Sequence, residues 1–185
     1  MIFLYFSFNG KVTTDIVIVG GYGGGDIQDV QLIRIKDDGG IRRVWYAFPE
    51  YPFAIRDHAG SILNNEVIIC GGFGYTPWLR NAATKINDCY KINDTRIEWT
   101  KMAPMKSKRI LHAMVSLQDK IIITGGVYGR KVNGSTEKHS NNQWNYAQNM
   151  PKGLQGHCMV ALDSNTAMII GGVENGLYEN RTVSK

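Results

Sequence analysis

A short apolar strand that ends on two consecutive glycines occurs four times in this sequence, and this unit constrains the fold more than any other feature. The clearest copy is Ile121-Ile122-Ile123-Thr124, which runs directly into its glycine pair. The four pairs are separated by 51, 54 and 46 residues and are Gly20 and Gly21, Gly71 and Gly72, Gly125 and Gly126, and Gly171 and Gly172. A period near 50 residues in a chain of strand-like runs predicts a repeat architecture.

Tryptophan and histidine residues keep the same register as the glycine pairs. Each of three tryptophans precedes a histidine by 13 residues, and each histidine precedes a glycine pair by 13 or 14 residues. The pairs of residues are Trp45 with His58, Trp99 with His112, and Trp144 with His157. In the first copy, Ser7 stands 13 residues before Gly20, where the later copies have histidine. Because the tryptophans, histidines and glycine pairs recur with the same spacing, they indicate one copied unit.

The unit of histidine, short hairpin, apolar strand, Gly-Gly, variable loop, third strand and tryptophan resembles the kelch repeat over residues 7 to 183. The resemblance implies an all-β fold, a kelch-type β-propeller built from four-stranded blades. The blades are expected at about 2–48, 56–101, 109–147 and 155–185, or about three and a half blades. Six such blades need roughly 300 residues, so we expect an incomplete propeller that is a fragment or one arc of a larger assembly.

The apolar segment from Ile2 to Phe8 is expected to form a strand of the first blade or a displaced strand that completes the last one. No basic residue precedes this segment, and it is too short to cross a bilayer, so no membrane contact is expected. Open blade faces at both ends favour closure by further blades or by a second copy.

The sequence pattern disfavours two classes of ligand, dinucleotides and nucleic acids. The run from Asp15 to Gly25 is glycine-rich, but Asp26 replaces the third glycine of a dinucleotide loop and an alternating strand follows in place of a helix. The 21 basic residues are scattered along the chain, and the group from Lys101 to Arg109 is expected to be a solvated loop. Nucleic acid needs a wider basic track and is not an expected partner.

The three cysteines are too far apart for zinc spacing, and an odd count does not suggest a disulfide framework. Cys70 is interpreted as a small core residue, and the cysteine usage favours a reducing, cytoplasmic location. The alternative is an extracellular protein, because Asn93, Asn133 and Asn180 begin glycosylation acceptor tripeptides.

The repeated residues are interpreted as structural. The histidines are expected to hydrogen-bond neighbouring strands at separated places around the ring, and the tryptophans to pack between blades with a partner for the indole N–H. The glycine pairs allow close backbone approach. The sequence shows no catalytic or metal-binding motif and implies no cofactor. A fragment of a copper enzyme similar to galactose oxidase is the enzymatic alternative, but its cysteine, tyrosine and histidine set cannot be matched here.

The resemblance implies that the chain binds another protein through the loops that follow each glycine pair and precede each first strand. The expected contact residues after the glycines are Tyr22, Phe73, Tyr75, Tyr128 and Arg130, with Trp78 in the same long loop as Phe73. Those before the strands are Arg56, Arg109 and Gln155. Arginine and tyrosine suit an acidic or polar peptide. The resemblance implies a non-catalytic interaction scaffold, such as the substrate-recognition part of a cullin-type ubiquitin ligase adaptor or a cytoskeletal linker.

Overall fold

The structure is a computed structural model that describes residues 3–7, 14–35, 39–44, 48–75, 83–93, 98–174 and 183–184. Within these ranges the chain forms β-strands and no helix, and all strand pairs are antiparallel. No helix in the described part of the chain is long and apolar enough to span a membrane. The predicted all-β class is confirmed.

Four small sheets follow one another along the chain. Sheet one consists of β1 (Phe3–Ser7), β2 (Thr14–Tyr22), β3 (Asp26–Ile35) and β4 (Ile41–Val44), paired in that order. The next strands are β5 (Ile55–Arg56), β6 (Ala59–Leu63), β7 (Glu66–Cys70), β8 (Phe73–Gly74), β9 (Thr84–Lys85), β10 (Cys89–Ile92) and β11 (Thr100–Lys101). Sheet two contains β6, β7, β10 and β11, while β5, β8 and β9 form a short rim ribbon that pairs with β3 of sheet one.

Sheet three repeats the plan of sheet two. The chain continues with β12 (Ala113–Leu117), β13 (Lys120–Thr124), β14 (Val127–Tyr128), β15 (Lys131–Val132), β16 (Thr136–Ser140) and β17 (Gln143–Ala147). Sheet three has the order β12-β13-β16-β17, and β14 and β15 form a separate hairpin. Sheet four contains β18 (Cys158–Ala161), β19 (Ala167–Ile170) and β20 (Val183–Ser184).

The sheets stack face to face, with the first strand of each beside the first strand of the next. Strand β7 shows why the repeated strands are apolar throughout. Successive side chains point to opposite faces of a sheet, so Val67 and Ile69 pack in the core shared with sheet one, and Ile68 and Cys70 pack in the core shared with sheet three. A sheet buried on both faces carries a continuous apolar run. This arrangement is an incomplete kelch-type β-propeller.

The N-terminal strand confirms its expected place in the first sheet and excludes the alternative that it completes the last one. Strand β1 pairs with β2 from Phe3 opposite Ile18 to Ser7 opposite Thr14, so it belongs to sheet one and does not complete sheet four. In sheets two and three, two-residue turns join the first hairpin, whereas residues 8–13 separate β1 from β2. With this register Ser7 lies opposite Thr14, at the start of β2, and not beside the glycine pair where the histidines of sheets two and three lie.

Candidate functional site

The glycine pairs are the places where one sheet meets the next. A Cβ on Gly71 would lie 2.7 Å from Cε1 of His112, and a Cβ on Gly125 would lie 2.6 Å from Cε1 of His157. Both glycines have a φ of 64°, a conformation that side chains rarely adopt. The first glycine of each of these pairs therefore makes room for the histidine of the following sheet.

The tryptophans connect the sheets at the other end of the unit. The indole N–H of Trp99 donates to the carbonyl of Pro49 at 3.1 Å, and that of Trp144 donates to the carbonyl of Ala103 at 2.9 Å. Each acceptor lies in the chain that leads out of the preceding sheet, so each indole binds the crossing between two sheets. Trp45 lies outside the described residues.

The histidines are buried and uncharged. Burial lowers the pKa of His58 to about 3 and that of His157 to about 4, and it holds the pKa of His112 well below its usual range. Nε2 of His157 lies 2.8 Å from Thr124 Oγ1 of sheet three. All three line one cavity of about 430 Å³. Among the described residues, no three His, Cys, Asp or Glu side chains are placed to share a metal ion.

The residue before each histidine has a left-handed backbone. The φ angles are 55° at Asp57, 54° at Leu111 and 63° at Gly156. The N–H of Leu111 donates to the carbonyl of Asp57 at 2.9 Å, and the N–H of Gly156 donates to the carbonyl of Leu111 at 2.8 Å. Equivalent positions of consecutive sheets are therefore joined by a continuous line of backbone hydrogen bonds, which fixes the rim from which the loops project.

Three of the predicted contact residues meet on that rim. The guanidinium of Arg56 lies 5.4 Å from the ring centroid of Tyr22 and 4.7 Å from that of Phe73. Its Nε is 2.8 Å from Asp26 Oδ1, and its Nη1 is 3.4 Å from Asp57 Oδ2. The structure thus brings residues of sheets one and two together, but it also pairs the charge of Arg56 with two carboxylates of the same chain.

Arg109 differs from its sequence-based expectation. Its side chain is 1% exposed and donates through Nη2 to Glu137 Oε1 at 2.6 Å, and Nη1 donates to the carbonyls of Gly125 at 2.9 Å and Ser135 at 3.1 Å. Burying an arginine requires such a set of acceptors, and here all of them come from sheet three and its loop. Arg109 therefore stabilises the rim from its buried side, and its side chain is not accessible to a partner.

The remaining predicted contact residues lie at or near the surface of the loops. Tyr22, Tyr75 and Tyr128 are 69%, 47% and 56% exposed, and Arg130 is exposed at the tip of the β14–β15 hairpin. Gln155 is half-buried. Its backbone N–H donates to the carbonyl of Val173 at 3.0 Å, and the N–H of Val173 donates to the carbonyl of Gln155 at 2.8 Å. Trp78 lies outside the described residues.

Comparison with known proteins shows that the chain is similar in sequence to proteins with kelch repeats. The chain is 29% identical over 123 residues to Kelch repeat and BTB domain-containing protein 2 of cowpox virus, covering 65% of this chain and 21% of that protein. It is 26% identical over 160 residues to human Kelch-like protein 15, covering 74% and 25%. The match to mouse Kelch-like protein 36 is 26% over 115 residues, covering 61% and 18%.

The repeats of this chain are similar to kelch repeats. No family model matches the sequence. The chain spans about a fifth to a quarter of the length of these curated relatives, at 21%, 25% and 18%.

The rim contains a groove that the sequence prediction missed. It lies between the rim ribbon of sheet two and the β14–β15 hairpin of sheet three, has a volume of about 520 Å³, and is lined by Phe73, Lys85, Lys108 and Tyr128 among others. We call it the lysine groove. The ammonium of Lys85 donates to the carbonyl of Gly129 and so connects its two walls. The signal available in the sequence was that neither wall, residues 83–85 or residues 127–129, contains an acidic residue.

A second unexpected feature is a disulfide between Cys70 and Cys89. The two residues face each other on β7 and β10, with their Cα atoms 4.2 Å apart, and both are fully buried in the core between sheets two and three. A Cα separation this short is typical of a non-hydrogen-bonded antiparallel pair, where side chains are closest. Cys70 is a core residue as expected, but it is paired and not a free thiol. The free cysteine is Cys158, which is exposed.

Proposed function

We propose that this chain is the partner-binding arc of a non-catalytic kelch scaffold, with its four sheets belonging to blades at about 2–48, 56–101, 109–147 and 155–185. The kelch relatives support a role in protein interaction. The observation that carries the proposal is the contrast between buried repeat residues and exposed loop tyrosines. His58, His112 and Trp144 are at most 6% exposed, whereas Tyr22 and Tyr128 are more than half exposed on the same rim.

Exposed tyrosines on a rigid rim are suited to contact a partner. A tyrosine offers a large contact area with few rotatable bonds, so little entropy is lost on binding. The rim beneath them is held by the backbone line through Asp57, Leu111 and Gly156. The proposed partner is a protein segment of acidic or polar character, and by resemblance the role is substrate recognition for a cullin-type ubiquitin ligase or attachment to the cytoskeleton.

Site-specific photo-crosslinking tests the proposal. A photoreactive phenylalanine analogue replaces Tyr22, Tyr75, Tyr128 or Tyr146 in turn, and adducts formed in cells are identified by mass spectrometry. Tyr146 is the control because it is 62% exposed but lies on β17, the outer strand of sheet three. We expect the same polypeptide to be captured from at least two rim positions and not from position 146. Equal capture from position 146, or none from the rim, would contradict the proposal.

For location we propose the cytoplasm, with the extracellular alternative kept because one observation favours it. The Cys70–Cys89 disulfide is of a kind that persists in oxidising compartments. Against glycosylation, Asn133 is half-buried, its Nδ2 donates to Ser135 Oγ at 2.8 Å, and that hydroxyl also accepts from Arg109 at 3.0 Å. Mass spectrometry of the natural protein decides between the two, because glycans at Asn93 or Asn133 occur only on a secreted chain.

A further inference from the structure

The lysine groove differs in charge from the neighbouring part of the rim around Arg56. Its lining carries two lysines and no Asp or Glu, and consists of Phe73, Ala83, Thr84, Lys85, Lys108, Tyr128 and Gly129. The neighbouring rim between sheets one and two has Asp26 and Asp57 beside Arg56. The groove lining therefore carries positive charge with no acidic side chain in the lining itself.

The cations in and around the groove are not equivalent. Arg109 is enclosed and paired with Glu137, so it contributes little to the surface. Lys108 is exposed at the groove, and Arg130 and Lys131 are exposed at the tip of the adjoining hairpin. Lys85 is half-buried, and its ammonium contacts a neutral carbonyl of Gly129. An ammonium has three N–H donors, so Lys85 can bind an anion while it keeps that contact.

We propose that the lysine groove binds a carboxylate side chain of an extended partner segment, and that an adjacent apolar side chain packs against Phe73 and Tyr128. The proposal rests on the proposed function and names the chemistry of its partner. A half-buried lysine gains a charge-assisted hydrogen bond when a carboxylate enters, and such bonds are about twice as strong as neutral ones. The aromatic residues at the groove supply apolar contact area beside the charge.

A peptide fits this charge distribution better than a nucleic acid does. Binding of a nucleic acid backbone needs a basic track that neutralises several consecutive phosphates. Here the basic stretch is interrupted on one side by Asp26 and Asp57, which flank Arg56 along the same rim. The groove volume of about 520 Å³ suits a few side chains and not an extended polyanion.

Peptide selection followed by titration tests the proposal without a known partner. The chain is used to select from a random twelve-residue display library, and each enriched peptide is measured by fluorescence anisotropy. The variants are Lys85→Gln and Lys108→Gln, with Lys120→Gln as the matched control, because Lys120 begins β13 at the opposite end of sheet three and loses the same charge. Thermal unfolding of each variant verifies that it is folded.

We expect the enriched peptides to contain Asp or Glu next to an apolar residue. Removing a charged hydrogen-bond donor costs about 1.5–3 kcal/mol, so Lys85→Gln should weaken binding about tenfold or more, while Lys120→Gln stays within about twofold. Acidic peptides that bind all three variants equally overturn the proposal, as does enrichment of peptides without Asp or Glu.

Two further outcomes separate this proposal from the proposed function. Peptides that lose affinity on Tyr22→Ala but not on Lys85→Gln would overturn the groove and leave the rim as the binding surface. A fluorescent polyuridine probe that binds more tightly than any selected peptide, and is lost on Lys85→Gln, would overturn the peptide proposal in favour of nucleic acid.

Discussion

The guanidinium of Arg109 and the carboxylate of Glu137 form an enclosed ion pair, with side chains 1% and 0% exposed and 2.6 Å between Nη2 and Oε1. The same carboxylate accepts from the backbone N–H groups of Lys106 at 2.6 Å and Ser107 at 3.0 Å. Glu137 on β16 therefore fixes both the arginine and the chain that crosses from sheet two to sheet three. The pair therefore holds the crossing between sheets two and three against β16.

Replacing Glu137 by Ala should destabilise the chain strongly, because it leaves an arginine buried without its counter-charge. Breaking a buried ion pair in this way costs about 3–5 kcal/mol. The measurement is the free energy of unfolding from urea titration. The control is Glu66→Ala, which removes the 2.8 Å pair with Lys91 at a site where the side chains are 27% and 36% exposed. That change should cost about 1 kcal/mol or less, and equal losses would refute the assigned role of Glu137.

Gly125 should tolerate no side chain, because the following sheet occupies the space. A Cβ there would lie 2.5 Å from the carbonyl of Leu154 and 2.6 Å from His157 Cε1. Gly156 provides the control, since it has almost the same φ, 63° against 64°, and no described atom lies within 4 Å of its Cβ position. Gly156→Ala should cost about 1–2 kcal/mol from backbone strain alone. Gly125→Ala should cost clearly more, and equal unfolding free energies would show that sheet contact plays no part.

The repeat unit was predictable because its signals are local. The apolar run of β7, the glycines after it and the turn at Asn64 and Asn65 are set by backbone sterics and by burial on both faces, both of which are visible in a few residues. The register of the histidines followed from the constant spacing in sheets two and three. The same spacing failed in sheet one, because residues 8–13 lengthen its hairpin beyond the two-residue turns of the others.

The charged residues of the rim were predictable in position but not in environment. Whether an arginine is free or buried depends on acceptors that are distant in sequence, and Glu137 lies 28 residues from Arg109. The lysine groove arises from two loops whose contact joins Lys85 to Gly129, 44 residues away. The Cys70–Cys89 pairing has the same origin, since it depends on β10 returning beside β7 and not on the number of cysteines.

The disulfide predicts a specific pattern of thiol reactivity. In denaturant without reductant, alkylation should modify Cys158 alone, and after reduction it should modify all three cysteines, as counted by intact mass. The bond closes a loop with a sequence separation of 19 residues, for which loop entropy gives about 3 kcal/mol of stabilisation. Reductant should therefore lower the unfolding temperature of the wild type and leave a Cys89→Ala variant unchanged. Alkylation of three cysteines before reduction would show that the bond does not form.

The buried histidines predict that acid destabilises the chain. In the folded state the pKa of His58 is about 3 and that of His157 is about 4, whereas the unfolded chain has ordinary values near 6.5. As the pH falls below 6.5, the unfolded state takes up protons that the folded state does not, so the free energy of unfolding decreases by up to about 1.4 kcal/mol per pH unit for each histidine. The decrease continues until the pH reaches the folded pKa values. Urea titrations between pH 7.5 and 4.5 measure the slope of the unfolding free energy against pH. Replacing His157 by Asn should reduce that slope by the contribution of one proton. A stability that stays constant over this range would mean that these imidazoles are not buried in neutral form.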